Sequence, residues 1–300
     1  MNSKDPGLIF KVREEEQGLK LNEYLRSVVR FSSRFTQKVV RDGGVKVNNN
    51  RATLFSKLKS GDVIEVQIEK EEEQDIIPEK MELDIIYEDQ DIIVVNKPYG
   101  MIVHPTKNYA CGTLTNGLLY HFKENGERCI VRLVSRLDRD TSGLILVAKN
   151  AFSHMSLARD MNREEFQKTY LAIVHGNLSK KNGVIDKPIY KVDDGSLKRI
   201  IDERGQRSIT HFEVVKRFKD ADLIKLILET GRTHQIRVHL NSMGNPIYGD
   251  TLYGNKEDEY IERQALHACR LQIIHPRTEE ILKLECDLPE DMNKLLSKLK

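Results

Sequence analysis

The sequence predicts an α+β fold, and two observations support that prediction. Apolar segments typical of strands, such as Leu171–Val174 and Leu223–Leu228, alternate irregularly with segments typical of amphipathic helices, such as Ala151–Met161. A strict alternation of strand and helix would instead predict a parallel α/β sheet. The chain also contains neither a P-loop nor a GxGxxG sequence, so the common nucleotide-binding motifs are absent.

The composition bounds the number of domains and the class of protein. A chain of 300 residues can form one sizeable core and a smaller module, so we expect two domains. Hydrophobic residues make up 39% and charged residues 31%, as is typical of a globular protein. No apolar run could span a membrane, and the first residues lack the apolar core of a signal peptide. We therefore expect a cytoplasmic protein with no membrane partner.

Cysteine and histidine spacing argues against a metal site. The four cysteines have no Cys-x-x-Cys spacing, which argues against both zinc and a disulfide framework, and we expect most of them to be buried thiols: Cys111, Cys129, Cys269 and Cys286. His234 and His239 are five residues apart and would lie on different faces of a helix. No carboxylate or cysteine stands at ligand spacing from them, so we expect no metal.

Positive charge is concentrated in one module, which we call the head. Between Gly18 and Gln67 there are ten lysines and arginines and four aspartates and glutamates, a net charge of +6. The formal total is +2, so the remaining residues sum to −4. A small basic module on a mildly acidic body is typical of a protein that binds a polyanion.

Two helices are predicted in the head. The buried face of the first helix is predicted by residues at helical spacing, namely Leu21, Tyr24, Leu25, Val28 and Val29. The second begins at a cap, Ser32 or Ser33, ends at Gly43-Gly44, and turns inward Phe35, Val39 and Val40. Arg34, Lys38 and Arg41 share its opposite face, where they would bind RNA phosphates in a salt-dependent way. The alternative is a generic basic helix pair.

Short strands follow at Val45–Val47 and within Gly61–Val66, with a turn at Asn48–Asn50. The runs Gly43-Gly44-Val45-Lys46-Val47-Asn48 and Gly61-Asp62-Val63-Ile64 resemble an S4-type RNA-binding module, to which we assign residues 13–68. The usual pattern has Asn-Gly in the turn, but asparagine tolerates a positive φ, so the turn can form here. The charged run Glu69–Asp75 predicts a flexible linker over 69–81, before a larger domain over 82–295.

The larger domain contains an unusual carboxylate. Asp138 stands between Arg136 and Arg139, just before Thr141-Ser142-Gly143 and the apolar run Leu144–Val147. One interpretation of residues 136–143 is a charged turn that is exposed to solvent and has no function. The functional interpretation is an ionised Asp nucleophile among groups that attract phosphate, which suits a nucleic-acid substrate. The hydroxyls of Thr141 and Ser142 are expected to bond the backbone of the turn.

A second polar segment, Gly231–Leu240, contains a partner for that carboxylate. An aspartate is ionised in water, with a pKa of about 3.9, but burial against a substrate would raise the pKa. A guanidinium at close range would keep Asp138 charged, and Arg237 is our candidate. Thr233 can cap a helix that buries Ile236, Leu240 and Met243, with Arg237 beside them. The alternatives are a strand with Arg237 and His239 on one face, and an ordinary structural ion pair.

Tyr170 begins a predicted strand directly after Gln167-Lys168-Thr169. One interpretation is a half-buried strand aromatic. If the ring faces the Asp138 turn, it offers a flat surface on which an extruded base can stack.

Together, the segments around Asp138, Tyr170 and Arg237 resemble the RluA family of pseudouridine synthases. Other matching pieces are His104-Pro105, Gly112-Thr113-Leu114, Pro246-Ile247-Tyr248-Gly249-Asp250 and Leu266-His267-Ala268. The resemblance extends from about residue 82 to about residue 290. It implies the pseudouridine synthase fold, a mixed and largely antiparallel sheet with flanking helices.

The resemblance also implies a reaction and roles for residues. Uridine in RNA would be isomerised to pseudouridine without cofactor or metal, in large-subunit ribosomal RNA as in similar relatives with an S4-type head. Asp138 matches the catalytic aspartate, which acts at the ribose C1′ directly or through a glycal. Tyr170 matches the base-stacking tyrosine, Arg237 the paired arginine, and Arg136 the arginine that fills the gap left by the flipped nucleotide. Ser135 stands where many members have histidine, a departure that concerns RNA contacts.

Further hypotheses remain open at this point. The RNA could be transfer RNA, or the protein could be a ribosome-assembly factor that binds RNA without catalysis. A small-molecule N-glycosidase or nucleoside hydrolase is a third class, which the basic head disfavours. We expect a monomer that contacts RNA through Arg136 and Arg139 of the large domain and through Arg34, Lys38 and Arg41 of the head.

Overall fold

The computed structural model describes residues 7–68, 74–193, 195–254, 258 and 260–300. Over these residues strands and helices mix without a repeating order, and the predicted α+β class is confirmed. The strands form a four-stranded sheet, a ten-stranded sheet and a two-stranded hairpin. Within the same ranges, no helix has both the length and the apolar character needed to cross a bilayer.

The head consists of the four-stranded sheet and short helical segments. Its strands are β1 (Leu8–Lys11), β2 (Val45–Val47), β3 (Asn50–Arg51) and β4 (Val63–Val66), in the order β1-β4-β2-β3. A 3₁₀ turn covers Glu14–Glu16, helix α1 (Leu21–Glu23) continues into a π-helical turn at Tyr24–Val28, and helix α2 spans Ser33–Arg41. One apolar cluster joins these elements, and Leu21, Leu25 and Ile64 are fully buried in it.

The local signals predicted in the head are confirmed. Ser32 caps α2, because its Oγ accepts a hydrogen bond from the backbone N–H of Phe35 at 3.2 Å. Gly43, with φ of +76°, follows the end of that helix. Asn48 and Asn49 both have positive φ, at 50° and 65°, and form the turn between β2 and β3. This conformation is what a two-residue hairpin turn requires.

One predicted core residue of the head is wrong. Leu21, Tyr24 and Leu25 are buried and Val29 is partly buried, but Val28 is exposed. The cause is the π-helical turn, in which the N–H of Val29 bonds to the carbonyl of Tyr24 rather than to that of Leu25. An extra residue per turn rotates the later side chains away from the face that a regular helix would present.

The ten-stranded sheet forms the centre of the larger domain, which we call the body. Along the chain its strands are β5 (Ile85–Glu88), β6 (Ile92–Lys97), β7 (Arg132–Leu133), β8 (Ser142–Ala148), β9 (Gln167–His175) and β10 (Asn182–Asp186), and then, after the separate hairpin β11 (Ile189–Lys191) and β12 (Arg199–Ile201), β13 (Ile209–Arg217), β14 (Ala221–Leu228), β15 (Leu266–Ile274) and β16 (Ile281–Glu285). Helices α3 (Leu114–Glu124), α4 (Ala151–Asp160), α5 (Gln235–Ser242) and α6 (Glu290–Lys298) complete it.

Strand β15 joins two halves of this sheet. The main path runs β10-β13-β14-β9-β15-β8-β6-β5, with β16 paired to β15 and β7 paired to β8. Strand β15 pairs in an antiparallel manner with β9 and in a parallel manner with β8. The other strand pairs of this sheet, as described, are antiparallel. The mixed and largely antiparallel sheet that the family resemblance implies is therefore confirmed.

The predicted linker is only partly described. Residues 69–73 of the charged run lie outside the described residues. The rest of the segment contacts the body: Glu79 Oε2 accepts from the N–H of Gly112 at 2.6 Å, and Asn116 Nδ2 donates to the carbonyl of Ile77 at 2.8 Å. Residues 74–81 thus pack along the start of α3, and the domain boundaries at 68 and 82 remain predictions.

The head also contacts the body directly. The ring of Phe31 meets that of Phe152 on α4 edge to face, with centroids 5.7 Å apart. The N–H of Ser32 lies 3.1 Å from Met155 Sδ, and Arg277 Nη1 donates to the carbonyl of Gly7 at 2.8 Å. Apolar contact and hydrogen bonding therefore connect the two domains.

The expectation that most cysteines are buried is wrong. Cys129 is buried, Cys269 and Cys286 are partly buried, and Cys111 is exposed because it lies in the loop before α3 rather than in a strand. None of the four cysteines forms a disulfide bond within the described part of the chain.

Strands β8 and β15 approach each other very closely at Gly143. This glycine has φ of +110°, and a Cβ added to it would lie 2.3 Å from the carbonyl oxygen of Ala268. In the register of the two strands, Gly143 lies opposite Ala268. Only glycine fits here, because the backbone angle disfavours any other residue and the neighbouring strand leaves no space.

We predict that Gly143→Ala lowers the free energy of unfolding by at least about 2 kcal/mol, since backbone strain and overlap with β15 add. Gly126→Ala is the matched control, because Gly126 has φ of +72° but nothing within 4 Å of an added Cβ. The control should lose only the strain of a left-handed residue, about 1 kcal/mol. Urea unfolding of both variants measures this difference, and equal losses would contradict the close strand contact.

Candidate active site

Asp138 lies in the loop between β7 and β8. The N–H of Thr141 bonds to the carbonyl of Asp138 at 3.2 Å and closes a turn over Arg139 and Asp140. The predicted turn at Thr141-Ser142-Gly143 is therefore wrong by about two residues, because Ser142 and Gly143 already belong to β8. The seven residues of β8 that follow are all buried, so the turn is anchored in the sheet. The side chain of Asp138 is 28% exposed. The carboxylate is therefore accessible from solvent while its backbone is fixed.

Arg237 reaches Asp138 from helix α5, as predicted. Its Nη1 donates to Asp138 Oδ2 at 3.0 Å. The guanidinium also forms a bidentate pair with Asp250, from Nε to Oδ2 at 2.7 Å and from Nη2 to Oδ1 at 2.8 Å. Arg237 is only 7% exposed. One buried guanidinium therefore joins two carboxylates, of which one faces the solvent and one is enclosed.

The charges in this cluster reinforce one another. Burial alone would lower the pKa of Arg237, but the hydrogen bonds and charge of Asp250, with a further contribution from Asp138, hold that pKa above its usual value. Burial would likewise raise the pKa of Asp250. The contacts from Arg237, and from the backbone N–H groups of Tyr253 and Leu252, instead hold the pKa of Asp250 below its usual value. Both groups are thus charged at neutral pH.

Helix α5 begins one residue later than predicted. The helical interpretation of this segment is confirmed over the strand alternative, but the cap is His234, with φ of +57°, and not Thr233. The reason is Gln235, whose Oε1 accepts from the N–H of Arg232 at 3.0 Å and from Thr230 Oγ1 at 2.8 Å. These bonds already satisfy the turn before the helix, so the Thr233 hydroxyl is not used as a cap.

Tyr170 lies on β9 and is 6% exposed, more buried than a half-exposed strand aromatic. In the sheet it pairs with Ala268 of β15 and with Leu226 of β14. Burial, and then the nearby negative charge of Asp138, raise the pKa of Tyr170 well above its usual value. Leu137, the residue before Asp138, packs against the apolar cluster that contains Tyr170 and Ile236, the residue before Arg237. The structure therefore brings the segments that carry Asp138, Tyr170 and Arg237 to one cluster.

The two arginines beside Asp138 do not bind it. Arg139 is exposed and pairs instead with Asp140, from Nε to Oδ1 at 2.9 Å and from Nη2 to Oδ2 at 3.0 Å. Arg136 is exposed and makes no ion pair with any described residue. The partner of Asp138 is thus Arg237, 99 positions later in the chain, while both neighbouring arginines are exposed.

The hydroxyls of Thr141 and Ser142 do not bond the turn backbone, so that prediction is wrong. Thr141 Oγ1 accepts from Gln264 Nε2 at 3.2 Å, and Ser142 Oγ lies 2.9 Å from His267 Nδ1. Gln264 directly precedes β15 and His267 lies within it. The two hydroxyls reach these residues because β15 pairs with β8, a long-range contact that the local sequence does not indicate.

Lys97 is a residue of the site that sequence reasoning missed. It is fully buried at the end of β6, and its ammonium donates to the carbonyls of Pro98, Met101 and Arg139 at 2.8, 2.9 and 2.9 Å. Burial lowers the pKa of Lys97 to about 7, although the charges of Asp140 and Asp138 oppose this effect. The lysine ties the loop after β6 to the Asp138 turn. The available signal was a lysine placed directly after a buried apolar strand.

Asp250 and Tyr253 were also missed as members of the site. Asp250 was noticed only as part of a matching motif, yet it holds Arg237, and its own Oδ1 accepts from the N–H groups of Leu252 and Tyr253 at 3.0 and 3.1 Å. The guanidinium of Arg237 lies over the ring of Tyr253, with 5.1 Å between its Cζ atom and the ring centroid. Both residues belong to the loop between α5 and β15, which thus fixes the arginine from two sides.

One group of possible metal ligands exists among the described residues, and it is not at this site. Asp89, Asp91 and His275 have ligand atoms within 4.8 Å of one another. His275 Nε2 lies 2.7 Å from Asp89 Oδ2, and Arg277 Nε donates to Asp91 Oδ2 at 2.5 Å. A guanidinium on a carboxylate favours a structural ion-pair network over a cation site. His239 is buried and contacts Thr210 Oγ1 and the carbonyl of Lys187.

Comparison with known proteins defines the family. A model of the RNA pseudouridylate synthase family matches residues 91–242, which include Asp138, Tyr170 and Arg237. The chain belongs to this family. It is 41% identical over 291 residues to the RNA pseudouridine synthase YlyB of Bacillus subtilis, with 96% of each chain covered. It is 36% identical to the ribosomal large subunit pseudouridine synthase D of Pasteurella multocida, which covers 93% of this chain and 88% of that protein.

The fold agrees with that of solved family members. The human RNA pseudouridylate synthase domain containing 4 superimposes with a TM-score of 0.59 at 26% identity. The match covers 72% of this chain and 93% of that one. The family resemblance expected from the sequence is therefore confirmed.

We predict that Asp250→Ala lowers the free energy of unfolding by about 3–5 kcal/mol, because it leaves a buried guanidinium without its bidentate partner. Asp140→Ala is the control, since it removes a carboxylate whose partner Arg139 is exposed, and it should cost about 1 kcal/mol or less. Chemical unfolding of the two variants tests this. A loss for Asp250→Ala no greater than for the control would contradict the buried ion pair.

Proposed function

We propose that this protein isomerises specific uridines to pseudouridine in large-subunit ribosomal RNA, with Asp138 as the catalytic carboxylate. The observation that carries this proposal is the ion pair of Asp138 with the buried Arg237, which Asp250 holds from its other side. Family membership and the names of the relatives that act on the ribosomal large subunit support the RNA and the reaction. Such an enzyme would work in the cytoplasm, and we expect it to act as a monomer.

The reaction conserves the atoms of the nucleotide apart from exchange with water. The bond between uracil N1 and ribose C1′ breaks, a bond between C5 and C1′ forms, C5 loses its proton to solvent, and N1 gains one. No oxidant, reductant or metal is needed to balance these steps. Asp138 would act either by attack on C1′ or by removal of the C2′ proton on the glycal route, and both roles require an ionised carboxylate.

Arg237 would preserve that ionised state during catalysis. A bound nucleotide removes water from Asp138, which by itself favours the protonated acid. Opposite unit charges 3.0 Å apart attract by about 5 kcal/mol at an effective dielectric near 20. An attraction of this size favours the ionised carboxylate when a bound nucleotide removes its water. Because Asp250 holds the guanidinium, the arginine can stabilise the carboxylate without moving.

Tyr170 and Arg136 would hold the flipped nucleotide. Tyr170 presents a rigid, buried ring close to Asp138, on which an extruded uracil can stack. Arg136 is exposed two residues before the carboxylate, where its guanidinium can enter the gap that the base leaves in the RNA. Arg139, also exposed, can contact phosphate on the same loop. Together these residues would place the glycosidic bond at the carboxylate and exclude water while uracil rotates.

The head would supply sequence-independent affinity for RNA. Arg34 and Arg41 are exposed and Lys38 is partly buried on one face of α2, and strands β2 and β4 follow this helix in the chain. A cationic face of this kind gains affinity by releasing counterions from phosphates. Because the head contacts α4 of the body, RNA bound there would lie on a surface connected to the catalytic domain.

We predict that RNA labelled with tritium at uridine C5 releases tritium with the wild type and not with Asp138→Asn, since C5 must lose its hydrogen for the product to form. Asp140→Asn, two residues away and paired with an exposed arginine, is the matched control and should retain activity. Transcripts of large-subunit ribosomal RNA should be substrates, and bulk transfer RNA should not. Release from transfer RNA alone would make the protein a transfer-RNA enzyme.

Two other outcomes of this assay would reject the proposed function. Free uracil among the products would indicate an N-glycosidase or nucleoside hydrolase. RNA binding by the wild type without tritium release would indicate an assembly factor that binds without catalysis.

We predict that the triple charge reversal Arg34→Glu, Lys38→Glu and Arg41→Glu weakens RNA binding and makes its salt dependence shallower. With about 0.7 counterions released per contact on single strands, the slope of log K against log salt should fall by about 2. The control reverses three exposed lysines elsewhere in the head, Lys11, Lys57 and Lys59, and so changes net charge equally. Equal changes in slope for both sets would exclude a specific role for the face of α2.

A further inference from the structure

His234 has a strained backbone at the edge of the site. Its φ of +57° and ψ of 19° are left-handed, and its side chain makes no capping bond to helix α5. Glycine adopts this conformation without steric cost, and asparagine, aspartate and histidine adopt it more often than other residues do. The backbone geometry therefore does not by itself require an imidazole at this position, and the contacts of the side chain indicate its role.

The imidazole lies between a tyrosine hydroxyl and the catalytic carboxylate. His234 Nδ1 is 2.9 Å from Tyr253 Oη, and Nε2 is 3.8 Å from Asp138 Oδ2. The latter distance is too long for a hydrogen bond. The side chain is 14% exposed, so it is enclosed on most sides. One ring nitrogen thus contacts a hydroxyl of the protein, and the other lies on the side of the ring that faces Asp138.

The contacts of the two ring nitrogens favour one tautomer of His234. Tyr253 Oη accepts from the backbone N–H of Arg199, on the hairpin strand β12, at 2.8 Å, and can donate its own proton to His234 Nδ1, 2.9 Å away. Because Asp138 Oδ2 lies 3.8 Å from Nε2, we assign the imidazole proton to Nε2. The fixed neighbour on one nitrogen thereby defines the role of the other.

The surroundings favour the neutral form of this histidine. Burial lowers the pKa of His234, the positive charges of Arg237 and Arg199 act in the same direction, and Asp138 and Asp250 oppose them. The ring at neutral pH is therefore an uncharged imidazole with an N–H aimed beside the carboxylate.

We propose that His234 is a further catalytic residue, whose Nε2–H donates a hydrogen bond to the uracil ring when the glycosidic bond breaks. This inference rests on the proposed pseudouridine synthase function. When the N1–C1′ bond breaks, its electron pair leaves with uracil, and the negative charge spreads over N1 and the ring carbonyl oxygens. A fixed donor in an enclosed site stabilises such a charge as it develops. No proton is transferred in this step, since the imidazole keeps its hydrogen.

Tyr253 is, on the same argument, a positioning residue. It does not need to touch the substrate, because it acts by holding His234 in the Nε2–H tautomer. Phenylalanine would retain the ring against Arg237 and lose only the hydroxyl that fixes the tautomer. Its effect should therefore be smaller than that of removing the imidazole.

The decisive variants relieve the backbone strain and withdraw the donor: His234→Gly has no side chain, and the amide of His234→Asn is shorter than the imidazole. His234→Gly and His234→Asn should be at least as stable as the wild type in thermal unfolding. We expect the single-turnover rate of pseudouridine formation to fall by about 10²-fold or more, as for loss of one oxyanion donor, while the affinity for RNA is unchanged. Added imidazole should restore part of the rate to His234→Gly. Tyr253→Phe should give a smaller loss.

The outcomes separate this inference from the function on which it rests. If the wild type forms pseudouridine and His234→Gly does so at the same rate, His234 is not catalytic. A loss of RNA affinity with an unchanged single-turnover rate would make it a binding residue and overturn the inference as well. A wild type that forms no pseudouridine would overturn the proposed function first. His234→Gln, which retains an N–H donor on a longer side chain, should be faster than His234→Gly.

Discussion

The active site depends on one guanidinium shared by two carboxylates. Arg237 pairs with Asp138 at 3.0 Å and forms a bidentate pair with Asp250, whose oxygens are held in turn by backbone N–H groups. A buried arginine with only one carboxylate partner would have unsatisfied hydrogen-bond donors. An arginine on a flexible loop would not hold its guanidinium in one orientation. Because Asp250 fixes two of its nitrogens, the third is directed to the place where Asp138 must be. The geometry of the proposed catalytic pair is thus a consequence of structural ion pairing.

Much of this architecture could be predicted from the sequence because it depends on local patterns. The α2 cap at Ser32, the turn at Asn48 and Asn49, and the helix around Arg237 each follow from residues close together in the chain. The pairing of Asp138 with Arg237 could also be anticipated, since a carboxylate that must act when desolvated requires a cation. In each case the chemistry of the residue indicates the contact or backbone conformation that it needs.

What could not be predicted depends on residues brought together by the sheet. Thr141 and Ser142 bond to Gln264 and His267 because β15 lies beside β8, more than 120 positions later in the chain. The burial of Lys97 among three carbonyls needs the Asp138 turn next to the end of β6. Val28 is exposed because the first helix continues into a π-helical turn, which the spacing of apolar residues does not predict.

The central position of β15 has a consequence for how the molecule is made. Strands β5, β6 and β8 form one half of the large sheet, and β9, β14, β13 and β10 the other. The segment that joins them, Leu266–Ile274, comes after every residue of the proposed catalytic cluster in the chain. During synthesis from the N-terminus, the two halves must therefore wait for the nascent polypeptide to extend past Ile274 before they can close together. Competence for chemistry is acquired late, in a single long-range assembly step.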